Sequence, residues 1–522
     1  MPDNTYILIT TRNPKSEKLA PHITRALENV QVTDTMRVFA DAKAENGAEN
    51  HKVLKAYTTT KVKVLDGSQM RSLTKKEADE MLKLCGGTFL NLKLYAKLAE
   101  SGIPVKELPA LESKALFERY LREIRKYYGD KLFDEAMTTL YAIVTAEEPL
   151  TLREVAWLSG DEFITPKLLS FLRDFGALLK TTRETGRGSL ISPASERYRE
   201  YIETMFPEQR AELAAIFTDK LLHTDLEQYK DKNGNYTIPD GLFYMAAYLP
   251  KVTDEISEEL RNRVYIKDRE RTDIYDCVTK SEKSRDRYVL KRRTKMGEVW
   301  SEYCEKVGWY EEQIRFIKIA GDSYWRICDY DKSLDVANRR IALCQQYLAE
   351  KKIVDENLLA AAYMNRGVTY GNIGKYGESL NDCGQCIAIR EALREQDQLE
   401  DEDNLAAVYM NRGLTYWNMG KYEESLSDYN KCIAIEEDLY KQGMLEDENA
   451  LAKAYLNRGN TLDDVGRNEE SLKNYDKCIA IRETLHEAGK LYEIGHMATA
   501  MLNKGILPVS YTHLTLPTKR IV

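Results

Sequence analysis

From about Glu356 to Leu507, apolar and small residues recur at the i, i+3, i+4, i+7 spacing of amphipathic helices, and one arrangement is written three times and begun again. Tyr363, Gly367 and Tyr370 mark a first helix, Gly374-Lys375-Tyr376 a turn, and Ser379-Leu380, Cys383 and Cys386-Ile387 a second helix. The next copy reads Tyr409, Gly413, Tyr416, Gly420, Tyr422, Ser425, Tyr429 and Cys432-Ile433; the third reads Tyr455, Gly459, Leu462, Gly466, Asn468, Ser471, Tyr475 and Cys478-Ile479. The step from Asn365 to Asn411, and from Asn411 to Asn457, is 46 residues, and Asn503-Lys504-Gly505 keeps it. An imperfect copy precedes them at Gly321, Tyr324, Ser333-Leu334 and Ile341. Such a period predicts stacked helical pairs rather than one globular core, with glycines letting the two helices of a pair approach and Tyr and Ile filling the seam.

The preceding chain has another pattern. Residues 1–72 mix short β-like runs (Tyr6 to Thr10, Lys61 to Leu65) with a helical stretch around Ala20 to Asn29, as expected for part of an α/β domain. In 73–114, Thr74 and Glu77 form a capping box launching a helix through Leu84, and a second helix runs to about Glu100. Residues 115–207 read as short helices closed by a hairpin, Leu178–Thr182 and Ser189–Ser192 about a Gly186-Arg187-Gly188 turn, which suggests a winged-helix unit. Residues 208–310 continue as a helical linker whose basic run Lys291-Arg292-Arg293 is expected on a solvated face; 311–507 is the repeat array. The fold class is therefore mainly α: an α/β remnant, a helical and winged middle, and a C-terminal α-solenoid.

Composition narrows the function. With a net charge of −8, the 522-residue chain lacks the basic excess that non-specific nucleic-acid binding needs. No apolar run approaches membrane-span length and Met1 opens no signal pattern, so a cytoplasmic protein is expected. Nine cysteines, an odd number, point to reduced thiols. The segment 508–522 keeps none of the repeat and is expected to be non-native.

The strand Ile7–Arg12 (ILITTR), Leu73–Ala78 (LTKKEA), Gly86–Leu98 (GGTFLNLKLYAKL) and the helices with a wing resemble, over about residues 5–250, the C-terminal part of a STAND-class nucleotide-switch ATPase of the NACHT type. The resemblance implies a nucleotide-sensor role for Arg12, and it puts Gly87-Thr88-Phe89-Leu90 on the family's G-x-P-L or G-x-F-L element, Thr88 standing where many relatives have proline. An ordinary surface role for Arg12 stands beside that reading. The phosphate loop G-x-x-x-x-G-K-[ST] does not occur in the sequence, nor does an apolar strand ending in paired acids. Met1 is expected to begin after both. No catalytic residue and no cofactor is expected here; ATP or ADP with Mg²⁺ would belong to a longer parent.

The array resembles tetratricopeptide repeats, units of about 34 residues whose first helices line a concave groove. The extra residues of each unit fall after the second helix, in Glu391–Leu405 and Glu437–Leu451, and predict longer second helices edged by an acidic ridge of loops. The resemblance would place Asn365, Asn411, Asn457 and Asn503 in the groove as a ladder able to hold a peptide backbone, beside Met364, Met410 and Asn460, with Trp417 as an exposed anchor. A structural asparagine common to this repeat position is the competing reading. Lysine and arginine of a carboxylate clamp are missing at these places, so a partly apolar protein or peptide is the expected partner. Cys383-Gly384-Gln385-Cys386 has C-x-x-C spacing, but Cys432 and Cys478 repeat only its second cysteine, which favours core packing. The six histidines show no paired-ligand spacing, and no metal is expected. The function expected is a protein-interaction scaffold or receptor belonging to a nucleotide-switched signalling protein, with possible oligomerisation in the intact parent. Two alternatives are the lid-and-sensor part of a complete ATPase and a plain adaptor with no nucleotide role.

Overall fold

A computed structural model describes residues 47–66, 69–86, 88–232, 235–265, 273–279, 286–399, 401–445, 447–488 and 494–515. The strand around Arg12 and the helix at 20–29 lie outside the described residues. Among the described residues 74% are helical, in 22 α-helices. The chain divides into two compact units: residues 1–134, 170–181 and 192–201, and residues 135–169, 182–191 and 202–522.

In the first unit, α1 (Gly47–Thr60) leads into β1 (Lys63–Asp66), which pairs antiparallel with β2 (Gln69–Ser72), Lys63 opposite Ser72. The expected strand at Lys61–Leu65 is therefore one arm of a hairpin. Helix α2 (Lys75–Leu84) begins at the expected capping box: the Glu77 N–H donates to Thr74 Oγ1, and the Thr74 N–H donates to Glu77 Oε2 at 2.8 Å. Arg71 donates two bonds to the same carboxylate, at 2.9 and 2.8 Å, and these hydrogen bonds hold its pKa near 2. Helix α3 (Phe89–Glu100) is capped by Thr88 and ends at Ser101-Gly102, where Gly102 takes a φ of 100°. With α4 (Ser113–Tyr128) it encloses Leu92, Tyr95, Leu116 and Phe117, and the Tyr95 hydroxyl spans Pro109 O and the Leu111 N–H.

In chain order the next elements are α5 (Asp130–Thr145), β3 (Leu150–Thr151), α6 (Leu152–Leu158), α7 (Pro166–Asp174) and the hairpin β4 (Leu179–Glu184) and β5 (Gly188–Pro193). The hairpin stands where the sequence predicts it, turning through Gly186 and Gly188 at φ 85° and 80°. Strand β3 adds to it, Leu150 opposite Ile191 and Thr151 opposite Leu190. Helices α8 (Glu196–Met205), α9 (Gln209–His223), α10 (Asp240–Val252), α11 (Glu258–Val264) and α12 (Ile274–Thr279) follow.

Helix α13 (Arg287–Val307) corrects the expectation of a solvated basic run. Lys291 is exposed, but Arg292 and Arg293 are 1% and 4% exposed. Successive helical residues point about 100° apart, so three adjacent basic residues cannot share one face. The two arginines turn inward because partners wait there. Arg292 meets Glu148 and Glu154, each at 2.6 Å, and Arg293 donates to the Tyr275 hydroxyl at 2.7 Å.

The repeat array is a run of paired helices: α14 (Tyr310–Arg326) with α15 (Tyr330–Ala349), α16 (Asn357–Asn372) with α17 (Tyr376–Glu395), α18 (Glu402–Asn418) with α19 (Tyr422–Gln442), α20 (Glu448–Asp464) with α21 (Asn468–Glu487), and finally α22 (Ile494–Thr515). Helix α13 packs along α14 at the front of the array, Trp300 stacked on Phe316 at 5.0 Å between centroids. A Cβ on Gly297 would lie 2.6 Å from the Ala320 nitrogen, so only glycine permits that approach. Helix α22 continues past Leu507 to Thr515, into the segment set aside as non-native. The second helices run 20 or 21 residues against 16 or 17 for the first, as the long period implies. Among the described residues, the acidic runs between units enter helix starts rather than a ridge of loops. Asp401 and Asp447 cap α18 and α20, accepting the N–H groups of Asp403 and Asn449, and Glu402 and Glu448 fill the first turns, where helix amides and dipole favour negative charge.

Candidate peptide-binding groove

The three units that carry Asn-Arg-Gly are each closed by a clamp. Arg366 reaches Asp382 through two bonds of 2.7 Å, and Arg412 reaches Asp428 at 2.6 and 2.8 Å. In the third copy Arg458 donates to the neutral Asn474 at 2.8 Å. The aspartates are buried, so the bidentate arginine compensates their desolvation. The arginine of each Asn-Arg-Gly thus has a structural task that the sequence reading passed over, although its position beside the invariant-step glycine is visible in the repeat. The glycine's task is steric. A Cβ on Gly413 or Gly459 would lie 2.9 or 2.7 Å from the ring of Tyr429 or Tyr475, while Gly367 faces the smaller Cys383.

With arginine and glycine turned toward the second helix, the asparagine one residue earlier faces along the array. Asn365 donates from Nδ2 to Asp322 of α14 at 3.3 Å, and Asn503 donates to Asn460 of α20 at 2.9 Å. Trp417 donates from its indole to Asp464 of α20 at 2.6 Å. These three bonds run between first helices of adjacent units and define one shared face. Asn411 and Asn457 lie half-buried on it, and the backbone carbonyls of Asn365, Asn411 and Asn457 accept the hydroxyls of Thr369, Thr415 and Thr461.

The predicted repeat residues therefore differ in availability. Asn365 and Asn503 already hold neighbours, and Asn460 Oδ1 accepts both Asn503 and the Tyr475 hydroxyl. Trp417 keeps 36% of its surface exposed with its N–H committed. Met364 is half-buried against the core, whereas Met410 is 9% exposed and belongs to it. Leu414, at 40% exposed, and Val368 form the apolar surface between units. A cavity of about 270 Å³ opens at the α14–α16 end, lined by Lys318, Asp322, Trp325, Arg326, Met364 and Asn365 among others.

The C-x-x-C pair lies in the hydrophobic core, Cys383 and Cys386 both buried. Burial pushes their thiols up, Cys383 to about 12 and Cys386 to about 11, the opposite of what a reactive thiolate requires. Glu436 is buried one turn after Cys432, and burial, with Asp403 and Asp447 nearby, raises its carboxyl to about 8. No helix among the described residues is long and apolar enough to cross a membrane.

Tetratricopeptide repeat family models match residues 359–399, 406–439 and 452–485, so the C-terminal region carries tetratricopeptide repeats. No curated protein matches the chain. Among solved structures the chain is similar to BtubC (BKLC) from P. vanneervenii, at 16% identity over 42% of this chain and 84% of that one, TM-score 0.36. It is also similar to PH0952 from Pyrococcus horikoshii, a Signal Transduction ATPase with Numerous Domains (STAND) protein with a tetratricopeptide repeat sensor, at 13% identity and TM-score 0.31. That match covers 90% of this chain and 64% of PH0952. A Rap protein complexed with Competence and Sporulation Factor is similar at 11% identity over 84% of this chain and 99% of that one, TM-score 0.30.

Proposed function

We propose that the chain is a protein-recognition module that holds an extended segment of another protein against the shared face of α14, α16, α18 and α20. The observation that carries this reading is the tiling of that face. Bonds between first helices leave a continuous surface in which Val368, Leu414 and the Trp417 ring are accessible and half-buried amides lie between them. Such a surface offers apolar contact for side chains and amide groups for a peptide backbone, the combination helical-repeat grooves use.

The wider context we infer is a nucleotide-switched signalling protein, for which this chain supplies recognition and no catalysis. The capped helix Lys75–Leu84 and the hairpin Leu179–Pro193 support that reading, while the sequence contains no phosphate loop. Arg12, proposed as a sensor of nucleotide state, would act only with a phosphate loop elsewhere.

Panning the full chain against a displayed library of random nonapeptides tests the recognition role. Peptides enriched on the wild type are expected to lose at least tenfold in affinity on Leu414→Asp with the melting temperature unchanged, and to keep it on Glu424→Ala, an exposed position of α19. Selected peptides indifferent to Leu414→Asp would contradict the reading.

A further inference from the structure

The face shared by the first helices is not uniform along its length. Equivalent positions at its C-terminal edge read Trp325-Arg326 on α14, Gly371-Asn372 on α16, Trp417-Asn418 on α18 and Asp463-Asp464 on α20, each pair one 46-residue step from the last. A row that begins with a cation thus ends with two carboxylates, and its middle is neutral.

The cationic end is deeper than the exposed charges suggest. Lys318 and Arg326 are exposed at the 270 Å³ cavity, and Arg340 of α15 lines it from behind. Arg340 is 3% exposed, and its Nε and Nη1 have no hydrogen-bond partner. Three cations there face one anion, Asp322, which already pairs with Lys318 at 3.4 Å and accepts Asn365. One carboxylate against three cations, one of them a buried guanidinium, leaves the cavity at positive potential. At the other end Asp463 and Asp464 are exposed, and burial together with the adjacent Asp464 pushes the Asp463 carboxyl upward. Asp464 shares one oxygen with the Trp417 indole. The cation Lys453 also belongs to α20 but lies about 16 Å back along the helix from Asp464, at 1.5 Å per residue.

Resting on the recognition role proposed above, we infer that the bound segment is polar end to end: it carries an acidic side chain at α14, apolar side chains over Val368, Leu414 and Trp417, and a basic side chain at α20. With helix axes about 10 Å apart, three steps span about 30 Å, which about nine extended residues cover at about 3.3 Å each. Opposite charges at the two ends then fix direction as well as affinity, because a reversed segment sets like charges against each other.

The selected nonapeptides supply the test. On the wild type they are expected to carry Asp or Glu at one end and Lys or Arg at the other, in a single order. Panning Lys318→Glu/Arg326→Glu is expected to replace the acidic end by a basic one, and Asp463→Lys to change only the basic end. Wild-type-selected peptides should bind each variant at least tenfold more weakly, with melting curves matching the wild type. Peptides that depend on Leu414 but show no ordered charges would overturn this inference and leave the recognition role standing. Peptides indifferent to Leu414 would remove the recognition role, and this inference with it.

Discussion

Arg292 and Glu154, 138 residues apart in the chain, form an ion pair of 2.6 Å in which neither side chain has any exposed surface. Glu148 takes the other end of the guanidinium at 2.6 Å, the Tyr288 hydroxyl donates to Glu154, and Arg187 from the hairpin turn stacks over the Tyr288 ring at 3.9 Å. Removing one partner strands a buried charge, so Arg292→Met is expected to cost about 3–5 kcal/mol, read as a lower urea midpoint. An unchanged midpoint would show that the pair holds nothing together.

The same cluster sets an acid limit. Burial alone would raise the Glu154 carboxyl, but the Arg292 charge and bonds from Tyr288, the Thr151 N–H and Arg292 outweigh it and hold the pKa below the ordinary 4.5. A carboxylate depressed on folding stabilises the protein above its unfolded pKa, and that stabilisation is lost as pH falls through the folded value. Stability should therefore decline on acidification below pH 4.5, and Glu154→Gln should flatten that decline while lowering stability at pH 7.

Glu436 predicts the opposite sign. Its carboxyl is raised to about 8 chiefly by burial, so between pH 4.5 and 8 the unfolded chain ionises there while the folded chain does not. Stability falls across that window by up to about 1.4 kcal/mol per pH unit. Glu436→Gln should raise the melting temperature more at pH 8 than at pH 5, and an equal change at both would reject the assignment.

Gly413 and Tyr429 allow a paired test. Gly413→Ala places a methyl 2.9 Å from the tyrosine ring and is expected to cost about 1–3 kcal/mol in thermal unfolding. Adding Tyr429→Cys, the pairing found at Gly367 and Cys383, should restore part of the loss. A double variant no more stable than the sum of its single changes would remove the steric account.

What the sequence reveals, and what it hides, follows from distance. The Thr74–Glu77 box and the Gly186–Gly188 turn depend on neighbours in the chain and are legible there. So is the array, because Asn-Arg-Gly recurs at a fixed step. The inward turn of Arg292 was hidden because its partners, Glu148 and Glu154, lie 144 and 138 residues away. The acidic run at Leu399–Asp403 misleads for another reason: composition shows charge, but only the helix start at Glu402 shows that Asp401 is a cap. The fixed step of the asparagines was legible, yet their bonds to Asp322 and Asn460 depend on how one unit meets the next.

The sequence contains no phosphate loop, so isothermal titration of the full chain with Mg-ATP is expected to give no micromolar binding. Affinity at that level would transfer the switch to this chain itself.

Recognition on the first-helix face is tested most directly by photocrosslinking a selected nonapeptide to chains carrying benzoylphenylalanine at Leu414 or at Glu424. Both positions are exposed, one on α18 and the other on the second helix of the same unit. Crosslinking from position 414 and not from 424 is the predicted result; equal yields at both, or a product from 424 alone, would contradict it.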